Sequence, residues 1–95
     1  MSKTIRQDFE VNGPNHDAIV YECDSIKLML LEKNKAYGDA ALNPMRVFSK
    51  AEITEQLKVR IDDKLSRLAR GDDAGEDVEA DLIGYLVLLR IARKK

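Results

Sequence analysis

Ile19, Cys23, Ile26 and Leu30 recur at spacings of four, three and four, which places them on one face of a helix. Val20, Met29 and Leu31 widen that face. Asp17 is the expected N-cap, because its carboxylate can accept from the free amides of the turn that follows. The helix should run to about Lys35, with Gly38 supplying the backbone freedom to leave it. A second helix is announced by Ser49-Lys50-Ala51-Glu52, a capping box, with Phe48 in position to staple onto Ile53. Ile53, Leu57, Ile61, Leu65 and Leu68 then follow at intervals of four, four, four and three, so this helix is amphipathic to about Ala69. The turn formers Asp72, Asp73 and Gly75 break it. Asp73 or Glu76 is the expected start of a third helix, running from about Gly75 to Arg93.

On that third helix Val78, Leu82, Tyr85, Leu86 and Leu89 mark a buried side, and Ile83, Val87, Leu88 and Ile91 make it apolar nearly all round. Such a helix is either central or part of a subunit interface. Lys94 and Lys95 suit the negative end of its dipole. Residues 1–15 keep neither helical nor strand period for long. The expectation is therefore an all-α protein: a small helical bundle of three main helices, residues 17–95, preceded by an arm, residues 1–16, and completed by homo-oligomerisation.

Size and charge narrow the function. At 95 residues the chain supports a single core, so added stability from self-association is expected. Hydrophobic residues make up 44% and charged residues 35%, with five Gly, two Pro and no Trp, a balance of helical globular proteins rather than disordered ones. Sixteen basic and seventeen acidic residues give a net charge of -1, so no uniform positive field exists to hold a nucleic acid polymer. Any anion site must be local. Cys23 is the sole cysteine and cannot form an internal disulfide; with no secretory pattern opening the chain, the cytosol is the expected compartment. The apolar run Leu82 to Ile91 is half the length needed to cross a bilayer, and no membrane partner is expected.

Candidate chemistry concentrates on two helices. Arg60, Asp63, Lys64 and Arg67 stand at i, i+3, i+4 and i+7, on one face. One reading is a solvated stripe in which Asp63 and Arg67 form an ordinary ion pair. The other is an anion site, where three cations converge over two helical turns to hold a phosphate chain. Asp77 and Asp81 lie four apart on the third helix, with Tyr85 one turn further. Two carboxylates on adjacent turns can share a hard divalent cation such as Mg²⁺. Equally, Asp77 in the first turn is favoured by the helix dipole without any function. Asp81 has apolar neighbours and wants a partner such as Lys64 or Arg67. His16 has no partner at ligand spacing and reads as a surface residue, and Cys23 reads as a small core residue. Tyr37 beside Gly38 offers a ring that can stack on a base while the backbone approaches a ligand closely.

Three blocks, "EKNKAYGDAALNPMRVFSK", "RIDDKLSRLARG" and "EDVEADLIGYLVLL", resemble the small phage family called nucleotide modification associated domain 1, itself similar to the MazG-like all-α nucleotide pyrophosphohydrolases. The resemblance spans roughly Glu22 to Ile91 and is carried by three motifs in order. It implies a helical bundle that assembles as a dimer or higher oligomer, Mg²⁺ held by acidic residues on two helices, and hydrolysis of a nucleoside triphosphate between the α and β phosphates. By position Asp63 and Asp81 are the catalytic carboxylates, with Asp63, Asp77 and Asp81 as metal ligands. The pattern departs from that of the MazG-like enzymes, which use Glu-x-x-Glu followed by Glu-x-x-Asp. This chain has Arg60-Ile-Asp-Asp63 and then Val78-Glu-Ala-Asp81, and Asp77 stands in for one absent ligand from a turn away. The "KN..YG" signature, Lys33, Asn34, Tyr37, Gly38 and Asp39, implies a ligand wall in which Lys33 meets phosphate, Asn34 reads a base or sugar edge and Tyr37 stacks.

Three functions stay open at this point. One is a Mg²⁺-dependent nucleotide pyrophosphohydrolase using Arg60, Lys64, Arg67 and Tyr85 on its substrate. Another is a non-catalytic binder that sequesters a nucleotide or signalling nucleotide, favoured by the deficit of carboxylates. The last is a structural helical oligomer built on the apolar third helix.

Overall fold

The structure, a computed structural model, describes residues 13–38, 40–43, 50–72 and 74–95. Among these residues there are three α-helices and no strand: α1 (His16–Tyr37), α2 (Ile53–Arg70) and α3 (Val78–Lys94). The chain divides into two compact units, Met1–Glu32 and Lys33–Lys95, with the division falling inside α1. The second unit contains the α2–α3 pair and all the chemistry described below.

Each helix begins and ends for a local reason, and the starts differ from expectation. In α1, Asn15 rather than Asp17 precedes the first turn, and its carbonyl accepts from the Ile19 amide at 2.9 Å. Asp17 instead sits inside that turn, where its carboxylate meets His16 Nδ1 at 3.0 Å. The helix continues to Tyr37, and Gly38 at φ 62° then turns the chain out of it. In α2 the first helical residue is Ile53 and the cap position is Glu52, with no side-chain cap bond. Lys50 to Glu52 are not helical, so the capping box does not open the helix; Ser49 and Phe48 lie outside the described residues. Gln56 donates its side-chain amide to the Ala51 carbonyl at 2.7 Å, which ties the preceding turn to the first turn of the helix without capping its free amides.

The end of α2 is closed by Gly71 at φ 71°, whose amide reaches the Leu68 carbonyl at 3.2 Å while the Asp72 amide reaches the Arg67 carbonyl at 3.0 Å. This paired arrangement is the Schellman motif, and the left-handed conformation it demands is free of steric cost only for glycine. Asp77 caps α3, accepting from the Ala80 amide at 3.0 Å. The third helix therefore starts at Val78, three residues later than the turn signals at Gly75 imply. Asp73 lies outside the described residues.

The four-residue apolar rhythm of α2 produces its packing. Leu57 and Ile61 are buried, and with Leu89 of α3 they form the core, against which Ile53, Leu82, Tyr85, Leu88, Ala92 and Leu42 pack. Val78 is also buried, as is Gly84 within α3. Burial of side chains this size supplies about 1.5 to 3 kcal/mol each, which makes the α2–α3 seam the main source of tertiary stability in this unit. Leu65 and Leu68, expected in the same stripe, are exposed. The stripe precesses around the helix, so its C-terminal end turns off the seam. On α3 the outward side keeps Ile83, Leu86, Val87 and Ile91 exposed.

The first helix behaves differently. None of its residues is buried, and Cys23 and Ile19, expected in a core stripe, are exposed. Ile26, Met29 and Leu30 are half-buried. Its other apolar side chains, Val20, Tyr21, Leu28 and Leu31, are spread round the circumference rather than gathered on the stripe, so no one face concentrates the hydrophobic surface. No described helix is long and apolar enough to cross a membrane.

Candidate functional site

A groove of about 710 Å³ runs along α2, lined by Ala51, Glu55, Gln56, Val59, Arg60, Asp63, Lys64 and Arg67, with Tyr85 of α3. The i, i+4, i+7 spacing of Arg60, Lys64 and Arg67 is what delivers three cations to one wall. Gln56 extends the same row one turn towards the N-terminus. Tyr85 arrives from the neighbouring helix because it flanks the Leu82 and Leu89 contacts with the core.

The charges of this wall are knitted into a chain. Asp63 Oδ2 lies 3.2 Å from Arg67 Nε, the helical pair expected from their spacing. Arg67 NH1 also reaches Glu76 Oε2 at 3.4 Å, and the same oxygen accepts from Lys64 Nζ at 3.1 Å. Lys64 continues to Asp81 Oδ2 at 3.6 Å. Asp81 Oδ1 in turn accepts from Lys33 Nζ at 2.9 Å. Lys64 and Asp81 are the least exposed members, at 12% and 16% of their side chains. Partial desolvation gives these inner contacts more weight than the exposed ones at the rim. Among the described residues no carboxylate comes within ion-pair distance of Arg60. The hydrogen bond to Asp81 holds the Lys33 pKa above its ordinary value; partial burial opposes it and attraction to the Asp81 charge adds to it.

The sequence-derived residues divide accordingly. Arg60, Asp63, Lys64, Arg67 and Tyr85 come together in the groove. Lys33 is turned to Asp81 instead of standing in the groove wall. Asn34, Tyr37 and Gly38 are exposed and absent from the lining, with Tyr37 ending α1 at 73% exposure. Asp39 and the stretch 44–49 lie outside the described residues.

Each carboxylate expected as a metal ligand already has a partner. Asp77 is engaged as the cap of α3, Asp81 has a lysine on each oxygen, and Asp63 is paired with Arg67. Among the described residues no group of three or more His, Cys, Asp or Glu side chains is placed to hold a metal. A Mg²⁺ ion held by Asp63, Asp77 and Asp81 together would compete with two ammonium groups, a guanidinium and a helix cap.

Four contributors were not visible from spacing. Glu76 bridges Lys64 and Arg67 from the α2–α3 connection, a contact that depends on how the turn folds back. Lys33 reaches Asp81 across 48 residues of sequence. Glu55 and Val59 join the groove from the outer edge of α2; only the i, i+4 relation of Glu55 to Val59 and Asp63 signals a shared side. In comparison with known proteins, no family model matches the chain, and no match emerges among the curated proteins or the solved structures.

Proposed function

We propose that the chain binds the phosphate chain of a nucleotide in the groove along α2. What carries this reading is the presence of Arg60, Lys64, Arg67 and Tyr85 on one groove of about 710 Å³, inside the size range of small-molecule sites. The two arginines offer planar forks that match phosphate oxygens, and Lys64 offers a point charge between them. Tyr85 and Val59 provide apolar surface for a base or sugar. Asn34, Tyr37 and Gly38 enter the reading through the family resemblance alone.

Binding without turnover is the better supported form, because Asp77 and Asp81 are committed to a cap and to two lysines. A second form, a Mg²⁺-dependent pyrophosphohydrolase, draws support from Glu55 and Asp63, both of which line the groove. Mg²⁺ that travels with a nucleotide needs only one or two carboxylates. When bound there it would supply charge neutralisation to the phosphates and polarise an attacking water. Titration calorimetry with a nucleotide panel in chelator is the test, with binding expected and loss expected in Arg67→Ala. No heat with any nucleotide sinks the reading. Pyrophosphate release that requires Mg²⁺ and disappears in Asp63→Asn selects the second form.

The same proposal includes a homo-oligomer formed through α3, on the strength of its exposed Ile83, Leu86, Val87 and Ile91. The resemblance to the phage family further suggests action in the cytoplasm of an infected host. Sedimentation of the wild type against Val87→Glu checks the assembly, a monomeric wild type being the contrary result.

A further inference from the structure

We infer that Glu76 is a built-in occupant of the anion site, and that its displacement makes the groove select ligands with linked phosphates over a single phosphate. This rests on the phosphate-binding reading above. One carboxylate oxygen of Glu76 touches both Lys64 Nζ, at 3.1 Å, and Arg67 NH1, at 3.4 Å. That oxygen takes the position a phosphate oxygen needs in order to meet the same two cations. Both cations line the groove, and both are already neutralised: Lys64 by Glu76 and Asp81, Arg67 by Asp63 and Glu76.

The three carboxylates are not equally removable. Asp81 is 16% exposed and gripped by two lysines, whereas Glu76 is half exposed, so water solvates it readily when it leaves. Glu76 also belongs to a short connection that carries Gly71 at φ 71° and Gly75 at φ 80°, where the backbone adopts conformations that favour glycine. Asp63, by contrast, is anchored one helical turn from its partner Arg67.

An incoming anion therefore meets Arg60 first, the groove cation with no carboxylate at ion-pair distance among the described residues. Arg60 and Arg67 are seven residues apart, about 10 Å along the helix axis. A single phosphate engages Arg60 without reaching the pair held by Glu76. A chain of two or three phosphates engages Arg60 and still places a group with more charge than a carboxylate between Lys64 and Arg67. Glu76, which lines the adjoining pocket with Arg67 rather than the groove itself, thus acts as a charge threshold on the Lys64 and Arg67 pair.

Calorimetry at fixed salt with inorganic phosphate, pyrophosphate and tripolyphosphate tests this on the wild type, Glu76→Gln and Glu79→Gln. Glu79 lies in the first turn of α3 and makes no ion pair among the described residues, so its substitution matches the change in net charge. The wild type should prefer the linked phosphates. Glu76→Gln should bind inorganic phosphate about three- to tenfold more tightly and narrow that preference, as expected for freeing two partly exposed charge contacts. Glu79→Gln should change neither. Unchanged or weaker phosphate binding in Glu76→Gln overturns the inference, as does an equal gain in Glu79→Gln. If tripolyphosphate binding is abolished by Arg67→Ala while inorganic phosphate binding is indifferent to Glu76→Gln, the groove reading stands and this inference alone falls. If no protein binds any of the three probes, both fall. Should Glu76→Gln lose its helical circular dichroism, Glu76→Asp, which withdraws the carboxylate by one methylene, is expected to move phosphate affinity in the same direction.

Discussion

Lys33 Nζ donates to Asp81 Oδ1 at 2.9 Å, joining the last turns of α1 to the first turn of α3 across 48 residues of sequence. On the opposite oxygen Asp81 meets Lys64 at 3.6 Å, so a carboxylate with apolar neighbours is balanced by two ammonium groups from two other helices. This is the electrostatic hub of the second unit, and it fixes what the neighbouring groove has left to offer a ligand.

Alkaline pH should expose the Lys33 contribution. Its folded pKa is raised above the ordinary value of 10.5, chiefly by the hydrogen bond to Asp81. The stabilisation is therefore complete below the unfolded pKa and is lost as pH rises through the folded one. Thermal unfolding of wild type and Lys33→Met should show a gap that is constant at neutral pH and closes above about pH 10.5. Because the lysine is half exposed, the gap should stay under about 1 kcal/mol. A gap that persists unchanged well above that pH contradicts the assignment.

Asp77 works as a helix cap, which separates two chemically similar replacements. Asp77→Ala should cost about 1 kcal/mol, whereas Asp77→Asn, whose side chain still accepts from the Ala80 amide, should cost little. Denaturant midpoints of the two variants read this directly. Equal losses in both would point to a role for the negative charge that the cap does not explain.

The core depends on a small number of side chains. Leu57 is 2% exposed and sits at the centre of the α2–α3 seam. Leu57→Ala should cost about 2 to 5 kcal/mol through lost transfer energy and the cavity left behind. Val59→Ala, two residues on but exposed at the groove edge, should change stability by less than about 0.5 kcal/mol. Urea unfolding distinguishes them, and comparable losses would refute the seam as the stabilising element.

Backbone conformation predicts opposite signs at two positions in the α2–α3 connection. Gly71 and Ala74 both have positive φ, at 71° and 49°. Gly71→Ala should destabilise by about 1 kcal/mol, and Ala74→Gly should be neutral or stabilising, because only alanine is strained in that region. A destabilising Ala74→Gly would contradict the observed conformation.

What the sequence determined by itself was local. The four-residue rhythm of Ile53, Leu57 and Ile61 and the seven-residue step from Leu82 to Leu89 select helices and their facing sides, because a 3.6-residue repeat needs no tertiary information. The same rhythm put Arg60, Lys64 and Arg67 on one wall of α2, and the Gly-containing turn closed that helix. Helix starts were less legible: α2 begins at Ile53, past the capping box, with no side-chain cap bond, and α3 begins at Val78 behind the Asp77 cap rather than at Gly75.

Several of the charge partnerships depend instead on how the chain folds back on itself. The partnership of Lys33 with Asp81, and of Glu76 with Lys64 and Arg67, joins residues whose separation in sequence carries no period. On α1, Ile19 and Cys23 are exposed, whereas Leu57 and Ile61 of α2 form a core with Leu89. Amphipathic spacing specifies that a face is ready for burial; a second surface brought against it by the chain specifies whether burial happens.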